Sequence, residues 1–329
     1  MTTYKAWQVR ETEDGCFVGQ VEDLPLDGLP DGDVLIEVAW SSLNYKDGLS
    51  ASGNRGVTRN YPHTPGIDAA GRVVESRSDN FRPGDEVIVT GYDLGMNTPG
   101  GLGQYIRVPA EWVVHRPEGL TLRDAMVLGT AGLTAGLSVQ ALQERVTPDM
   151  GPVLVTGATG GVGVVAVALL AHLGYDVEAV SGKPDARAVL SPLGAARVSG
   201  RERINELKDK PLLRPEWAGV VDTVGGAQLG KLIAATMHSG ALTTCGMVAG
   251  TSFESSIFPF ILRGVTLYGI DSVEIPLARK AAIWEKFASE WALDLAGLTH
   301  EIGLEGVGEA IESLLNGTHS GRTVVRLGD

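Results

Sequence analysis

The sequence predicts an α/β protein in which a β-rich domain is followed by a domain built on a doubly wound parallel sheet. An apolar segment of strand type, residues 153–156, runs into a glycine-rich turn, an apolar helix and a second strand that ends at Val180. Strand-like and helix-like segments then alternate up to about residue 271, as expected for parallel strands covered by helices. Before residue 122, short strands follow one another between Gly, Pro, Asp and Asn.

The first domain is predicted from strand-like segments that lie before the first long helical pattern. These segments are VLIEVAWSSLN, GRVVES, DEVIVTGY, QYIRV and EWVVHRP. Helical periodicity begins near Leu122, an amphipathic helix is predicted within residues 278–297, and the final GRTVVRL is a strand expected to return to the first domain. The predicted domains are residues 1–122 completed by 297–329, and residues 123–296.

The glycine-rich turn, Gly157-Ala-Thr-Gly-Gly-Val-Gly163, is typical of a dinucleotide site. Glycine lets the chain turn tightly and leaves no Cβ against a pyrophosphate, while the N–H groups at the start of the next helix receive the anion. A purely structural turn can also be rich in glycine. Because the flanking strands and helix agree with a phosphate-binding turn, we expect cofactor contacts from Thr159, Gly160, Gly161 and Val162.

The segment after the second strand favours NADPH over NADH. Sites for NAD usually place an acidic residue there to bind the ribose 2′-hydroxyl, but this chain has Ser181, Gly182 and Lys183. A hydroxyl, a glycine and a cation suit a 2′-phosphate, and Arg201 is a second candidate cation. Two alternatives stay open: Asp185 could act as the ribose acid, and Lys183 could be a solvated loop residue.

Composition limits the class of protein. The chain has 329 residues, of which 43% are hydrophobic, enough for two domains. We find neither a secretory leader nor about 18 consecutive apolar residues, and the two cysteines, Cys16 and Cys245, suggest no disulfide framework. A net charge of −13 argues against nucleic-acid or anionic-membrane partners. We therefore expect a cytoplasmic enzyme that acts on a small molecule.

Several longer runs resemble the medium-chain dehydrogenase/reductase superfamily: PGIDAAGRVVES, FRPGDEVIV, GTAGLTAGLSV and TGATGGVGVVAVALLAHLGYDV. The resemblance implies a GroES-like β-rich catalytic domain, a Rossmann domain that binds the cofactor, and a tail that rejoins the first domain. The runs SSLNYKDGL, WAGVVDTVGG, FPFILRGVTLYGIDS and SGRTVV resemble the bacterial acrylyl-CoA reductase group, some of whose members are named quinone oxidoreductases. The resemblance to this family also implies a homodimer, in which the strand VTLYGID could extend a sheet across two subunits.

The chain departs from the zinc-dependent branch of this superfamily. The Gly-His-Glu segment of that branch corresponds here to Gly66-Ile67-Asp68, and its first cysteine ligand falls near Asn44 and Tyr45. The two cysteines are far apart, and the six histidines show no ligand spacing such as H-x₃-H. We therefore predict that the protein holds no metal.

Chemistry without zinc favours the reduction of an activated alkene. A saturated ketone needs strong polarisation, which zinc supplies, whereas an unsaturated thioester accepts hydride at Cβ and a proton at Cα. The resemblance makes acrylyl-CoA the expected substrate and propionyl-CoA the product. The alternatives are an NADPH:quinone oxidoreductase and, in another class, an NADPH-binding structural or regulatory protein.

Tyr45 and Asn44 are the candidate catalytic residues. A phenol carries its proton at neutral pH, so Tyr45 could donate to Cα; alternatively it packs against the nicotinamide while water gives the proton. Asn44 could orient the substrate carbonyl or cap a turn.

By resemblance, Thr130 and Thr134 are expected near the nicotinamide, with a helix-interior role as the alternative. Met247, which follows a strand, is expected along the nicotinamide face, and Arg322 resembles a family position near the cleft that binds the cofactor; packing or a surface pair is the alternative for both. Candidate cations for the phosphates of CoA are Lys46, Arg55 and Arg59, although the loop that carries the two arginines could simply be solvated.

Overall fold

The computed structural model describes residues 2–328. The strands are, in chain order, β1 (Thr3–Glu11), β2 (Phe17–Pro25), β3 (Val34–Ser42), β4 (Asp68–Ser76), β5 (Glu86–Thr90), β6 (Tyr105–Val108), β7 (Val113–His115), β8 (Val153–Val155), β9 (Val177–Val180), β10 (Arg197–Ser199), β11 (Trp217–Asp222), β12 (Thr236–Thr244), β13 (Thr266–Gly269), β14 (Thr299–Ile302) and β15 (Arg322–Arg326). The helices are α1 (Tyr45–Ala51), α2 (Leu122–Gln143), α3 (Gly161–His172), α4 (Ala186–Leu190), α5 (Glu202–Asn205), α6 (Gln228–Ala235), α7 (Phe258–Arg263), α8 (Leu277–Phe287) and α9 (Val307–Leu315).

The chain divides into two compact units. Unit 1 comprises the residues up to Thr130 together with those from Ser272 onward, and unit 2 comprises Ala131–Asp271. These limits differ from the boundaries at residues 122 and 297 that the sequence suggests. The first turns of α2 belong to unit 1 because Gly129, with φ 53° and ψ −156°, interrupts that helix. Helix α8 belongs to unit 1 because it packs against β7.

Unit 1 is built on a seven-stranded sheet with the order β14-β15-β3-β4-β5-β7, in which β6 also pairs with β3. Its pairs are antiparallel except for β14 with β15. The predicted return of the last strand is confirmed, because Val324–Arg326 pair with Trp40–Ser42 of β3. A buried apolar cluster that includes Ile36, Val87 and Ile106 fills the interior of this unit.

Strands β1 and β2 form an antiparallel pair that the sequence did not suggest. Both strands carry many polar and charged residues, and although Ala6–Val9 of β1 are buried, neither strand has a long apolar run. Their packing depends on a cross-strand contact: a Cβ added at Gly19 would lie 2.1 Å from the ring of Trp7. The hairpin is therefore stabilised by a fit between distant residues that a local pattern does not reveal.

Unit 2 is a six-stranded, wholly parallel sheet with the order β10-β9-β8-β11-β12-β13. Strands β8, β9 and β10 follow one another toward one edge of the sheet. The chain then returns to place β11 on the other side of β8, and β12 and β13 follow toward the opposite edge. The order thus reverses between β8 and β11, which is where doubly wound sheets bind ligands at the carboxyl ends of their strands. The predicted doubly wound sheet is confirmed.

Helices α2 and α3 are apolar because they are core helices. Residues Gly163–Leu170 of α3 are all buried. By length and composition α2 could cross a membrane, but 89% of its most apolar window is buried inside the protein. Burial of this kind is typical of a core helix.

Candidate functional site

The glycine-rich turn of unit 2 has the geometry that its sequence requires. Gly157 adopts φ 57°, a left-handed conformation that favours glycine. A Cβ at Gly163 would lie 2.3 Å from the carbonyl oxygen of Gly157, so glycine at 163 allows α3 to start directly against the turn. The helix begins at Gly161, and its first N–H groups can donate hydrogen bonds to an anion there.

A hydrogen bond joins this turn to the end of β9. The hydroxyl of Thr159 lies 2.8 Å from the hydroxyl of Ser181, and both residues are buried. The Thr159 side chain is therefore engaged inside the protein, whereas Gly160, Gly161 and Val162 are half-buried at the start of α3.

The four residues expected to bind a 2′-phosphate lie together. The N–H of Lys183 donates to the hydroxyl of Ser181 at 3.2 Å. A Cβ at Gly182 would lie only 2.3 Å from Nε of Arg201, so the arginine packs directly over this glycine. Burial lowers the pKa of Lys183, and Asp185 offsets part of that effect. Within residues 2–328, Arg201 makes no ion pair, so its charge is available to an anion.

A cavity of about 410 Å³ lies at the C-terminal ends of β12 and β13. It is lined by Thr244, Cys245, Gly246, Gly269, Ile270 and Asp271. Burial, with a further contribution from Asp222, raises the pKa of Cys245 to about 12, which favours the protonated thiol at neutral pH. Met247 follows the lining residue Gly246 in the chain and is 68% exposed.

Thr134 is buried in α2, and its carbonyl accepts the hydroxyl of Ser138 at 2.8 Å.

In unit 1, Tyr45 begins α1 and is 45% exposed, so a ligand can reach its ring. Asn44, the preceding residue, has a structural role that accords with the capping interpretation. Its main-chain N–H donates to Asp47 at 2.7 Å, and its side-chain amide donates to Asp68 at 2.8 Å. The amide is thereby fixed beside the exposed phenol.

Asp68 is the centre of a buried polar network. Its carboxylate accepts the Ser42 hydroxyl at 2.6 Å, the Asn44 amide, and both the N–H (2.9 Å) and the hydroxyl (2.6 Å) of Thr130. The Thr130 hydroxyl is therefore engaged by Asp68. Sequence reasoning missed this role, because the single signal was an Asp at the position where the zinc branch has Glu.

Arg322 is a buried residue of unit 1. It is only 2% exposed, and its guanidinium donates to the carbonyls of Val127 at 2.7 Å and Leu43 at 3.3 Å. Burial lowers its pKa, an effect that Asp68 and Asp47 oppose. The side chain crosslinks main-chain segments inside unit 1, which favours the packing alternative over a direct contact with a cofactor.

Of the two loop arginines, Arg55 already has partners within the protein. Arg55 pairs with Glu11 at 2.6 Å, and its guanidinium lies 5.6 Å and 5.2 Å from the ring centres of Phe17 and Tyr61. This side chain packs the loop onto β2 and pairs with Glu11, while 49% of it stays exposed. Arg59 is exposed and Lys46 is half-buried.

No group of three His, Cys, Asp or Glu side chains suited to a metal ion is found among residues 2–328. Ile67, at the position of the histidine of the zinc branch, supplies no ligand atom. Zinc independence stays a prediction that a direct metal measurement must test.

Two family models match the chain. The one described as alcohol dehydrogenase GroES-like domain matches residues 30–118, and the one described as zinc-binding dehydrogenase matches residues 161–293. Acrylyl-CoA reductase AcuI of Ruegeria pomeroyi is 43% identical over 318 residues, which cover 96% of each chain. YhfP of Bacillus subtilis, provisionally named a quinone oxidoreductase, is 43% identical over 333 residues, which cover 99% of each chain.

Among the solved structures of related proteins, one contains NADP and another contains NAD. The yhdH oxidoreductase of Salmonella enterica in complex with NADP has a TM-score of 0.94 and 41% identity, covering 98% of this chain and 99% of the other. Bacillus subtilis yhfP with NAD bound has a TM-score of 0.96 and 42% identity, covering 99% of this chain and 100% of the other.

Proposed function

The chain belongs to the medium-chain dehydrogenase/reductase family, and from this premise we propose that it is an NADPH-dependent reductase that converts acrylyl-CoA to propionyl-CoA. The observation that carries the proposal is the 43% identity to an acrylyl-CoA reductase along nearly the whole of both chains. We expect the enzyme to work in the cytoplasm.

NADPH fits the residues at the end of β9. Ser181 and the main chain at Gly182 would face the 2′-phosphate, and Lys183 and Arg201 would neutralise it. The turn from Gly157 to Gly163 would hold the pyrophosphate. One relative was solved with NAD, so cofactor preference must be measured on this chain.

When bound, NADPH supplies a hydride, which an activated alkene accepts at Cβ. The protein must then stabilise negative charge on the thioester oxygen and provide a proton at Cα. Tyr45 is suited to donate this proton because its ring is exposed, and the Asn44 amide, held by Asp68, is suited to orient the substrate carbonyl. The buried Asp68 acts through Asn44 and does not touch the substrate.

A second candidate function is quinone reduction, favoured by the similarity to YhfP. The two functions are separated by following NADPH oxidation without oxygen, with acrylyl-CoA in one series and a soluble quinone in the other. We expect propionyl-CoA to form, with deuterium from labelled NADPH at Cβ and a solvent proton at Cα. Rapid quinone turnover without consumption of acrylyl-CoA would favour the alternative, and no turnover of either would favour a binding protein.

We also propose that the protein is a homodimer joined along β13. This strand forms one edge of the unit 2 sheet, and an open edge is a template for pairing with another strand. Beside it in sequence, Ile257, Ile261 and Leu262 are 65%, 64% and 58% exposed. Analytical ultracentrifugation of the wild type and of Ile261→Asp tests this, since the aspartate should yield monomers.

A further inference from the structure

The carboxylate of Asp222 joins the C-terminal ends of three neighbouring strands in unit 2. Asp222 is the last residue of β11 and is fully buried. Its Oδ1 accepts the hydroxyl of Thr156, just after β8, at 2.7 Å. Its Oδ2 accepts the hydroxyl of Thr244, at the end of β12, at 3.0 Å. One side chain therefore connects β8, β11 and β12 at the edge where doubly wound sheets bind their ligands.

The same carboxylate holds the loop between β11 and α6. It accepts the N–H of Gly225 at 2.9 Å, the N–H of Val224 at 3.3 Å and the side-chain amide of Gln228 at 3.3 Å. Gly225 and Gly226 have φ of 68° and 71°, so two consecutive left-handed residues turn the chain here. The loop is thus fixed by its own conformation and by Asp222.

Thr223, in this loop, packs against two functional segments at once. A Cβ at Gly157, in the glycine-rich turn, would lie 2.4 Å from the Thr223 hydroxyl oxygen. A Cβ at Gly246, beside the cavity, would lie 1.9 Å from the Thr223 carbonyl oxygen. Thr223 also donates its hydroxyl to the carbonyl of Thr156 at 2.8 Å. A shift of the loop must therefore move the turn, the cavity wall or both.

We propose that Asp222 is a positioning residue that holds the glycine-rich turn and the segment from Cys245 to Met247 in one fixed register. The inference rests on the proposed binding of NADPH, whose pyrophosphate and nicotinamide would meet these two segments. Asp222 is itself fully buried, so it acts only through its hydrogen-bond partners.

A carboxylate is required because it accepts hydrogen bonds at both oxygens, whereas an asparagine must place an NH₂ group at one of them. At the Oδ2 position, that NH₂ group would face the N–H of Gly225. Among the described residues, no Lys or Arg pairs with Asp222, so the five N–H and O–H donors stabilise its charge.

The test compares Asp222→Asn, Thr156→Val and Thr244→Val with the matched control Thr243→Val. Thr243 neighbours Thr244, is buried, and donates to the carbonyl of Val220 without touching the Asp222 side chain. The readouts are the dissociation constants of NADPH and of 2′-AMP, measured by calorimetry well below the melting temperature. The small ligand carries the adenosine and the 2′-phosphate, so it tests the site at Ser181 and Arg201 without a pyrophosphate or a nicotinamide.

We expect Asp222→Asn to weaken NADPH binding by about 10-fold or more and to change 2′-AMP binding by less than about 3-fold. Thr156→Val and Thr244→Val should each weaken NADPH by a smaller factor, and Thr243→Val should resemble the wild type. The two threonine variants decide the matter if Asp222→Asn does not fold.

Equal losses for NADPH and 2′-AMP, or an equal loss in the control, would mean a role in stability only and would overturn the proposal. Unchanged NADPH binding in all variants would also overturn the positioning role of Asp222, but it would leave the proposed function intact. A wild type that binds no NADPH would refute both.

Discussion

The hydroxyls of Thr159 and Ser181 lie 2.8 Å apart, so the glycine-rich turn and the end of β9 are directly hydrogen-bonded. Ser181 also accepts the N–H of Lys183, whose chain neighbour Gly182 lies under Arg201. The segments that would hold the pyrophosphate and the 2′-phosphate of NADPH therefore form one connected surface of unit 2.

Removal of either cation from this surface should change cofactor preference. Charge-assisted hydrogen bonds contribute about 1.5–3 kcal/mol each, so Lys183→Ala or Arg201→Ala should weaken NADPH by roughly 10- to 150-fold and leave NADH almost unaffected. Fluorescence titration with both cofactors measures this. Arg197→Ala, which removes an exposed arginine paired with Asp176, is the control. Equal losses for NADPH and NADH in Lys183→Ala would instead indicate a structural role.

Replacement of Tyr45 by phenylalanine should reduce turnover much more than it reduces NADPH affinity. A positioned general acid contributes about 10²- to 10⁴-fold to the rate. Steady-state kinetics with acrylyl-CoA, together with NADPH titration, separate the two effects. Tyr105→Phe is a suitable control, because that hydroxyl donates to Glu37 on β3 of the same unit. A loss below about 3-fold would favour water as the proton donor.

Extensive dialysis against a strong chelator should leave the activity intact. Ile67 stands where the zinc-dependent branch has its histidine ligand. The carboxylate of Asp68 already accepts hydrogen bonds from Ser42, Asn44 and Thr130. Elemental analysis of the purified protein should accompany the assay. One equivalent of zinc per chain, with activity that is lost on removal and restored on addition, would contradict the expectation.

Protonation of His63 should make the protein sensitive to acid. Burial lowers the pKa of this imidazole below its ordinary value of 6.5, with smaller opposing effects from Gly95 and Asp93. The unfolded chain therefore takes up a proton that the folded chain resists, so stability present above pH 6.5 is lost as the pH falls.

Urea unfolding at about pH 7.5 and about pH 5 measures this loss. His63→Gln should lose less stability over that range than the wild type, and the exposed His238→Gln should lose as much as the wild type. The same pH dependence in His63→Gln and the wild type would show that other groups cause the acid sensitivity.

The geometry of the glycine-rich turn could be predicted from the sequence because its requirements are local. The glycines of the turn meet constraints on φ and on close approach that involve residues a few positions away, such as Gly157 with Gly163. Arg201 lies near Gly182 because β9 and β10 pair in parallel, with Ser199 beside Val180, and that pairing is seen only in the folded sheet.

The polar network of unit 1 could not be predicted in the same way. Asp68 is engaged by side chains from positions 42, 44 and 130, which only the folded sheet brings together. The surroundings of Arg322 could not be predicted for the same reason: its guanidinium donates to two carbonyls, at Leu43 and Val127, that lie about 200 residues or more away in the chain. A short motif that contains a charged residue does not reveal whether distant main-chain carbonyls will accept its hydrogen bonds.

The position of unit 2 within the sequence of unit 1 has a consequence for synthesis. Nascent domains generally fold as units, in order from the N-terminus. Residues 131–271 leave the ribosome as one continuous unit, whereas β3 must wait for Val324–Arg326 before its edge at Trp40–Ser42 is paired. Open strand edges invite pairing with other chains. Synthesis of unit 1 therefore starts first but is completed last. Protection by chaperones would matter most for the unpaired edge of β3.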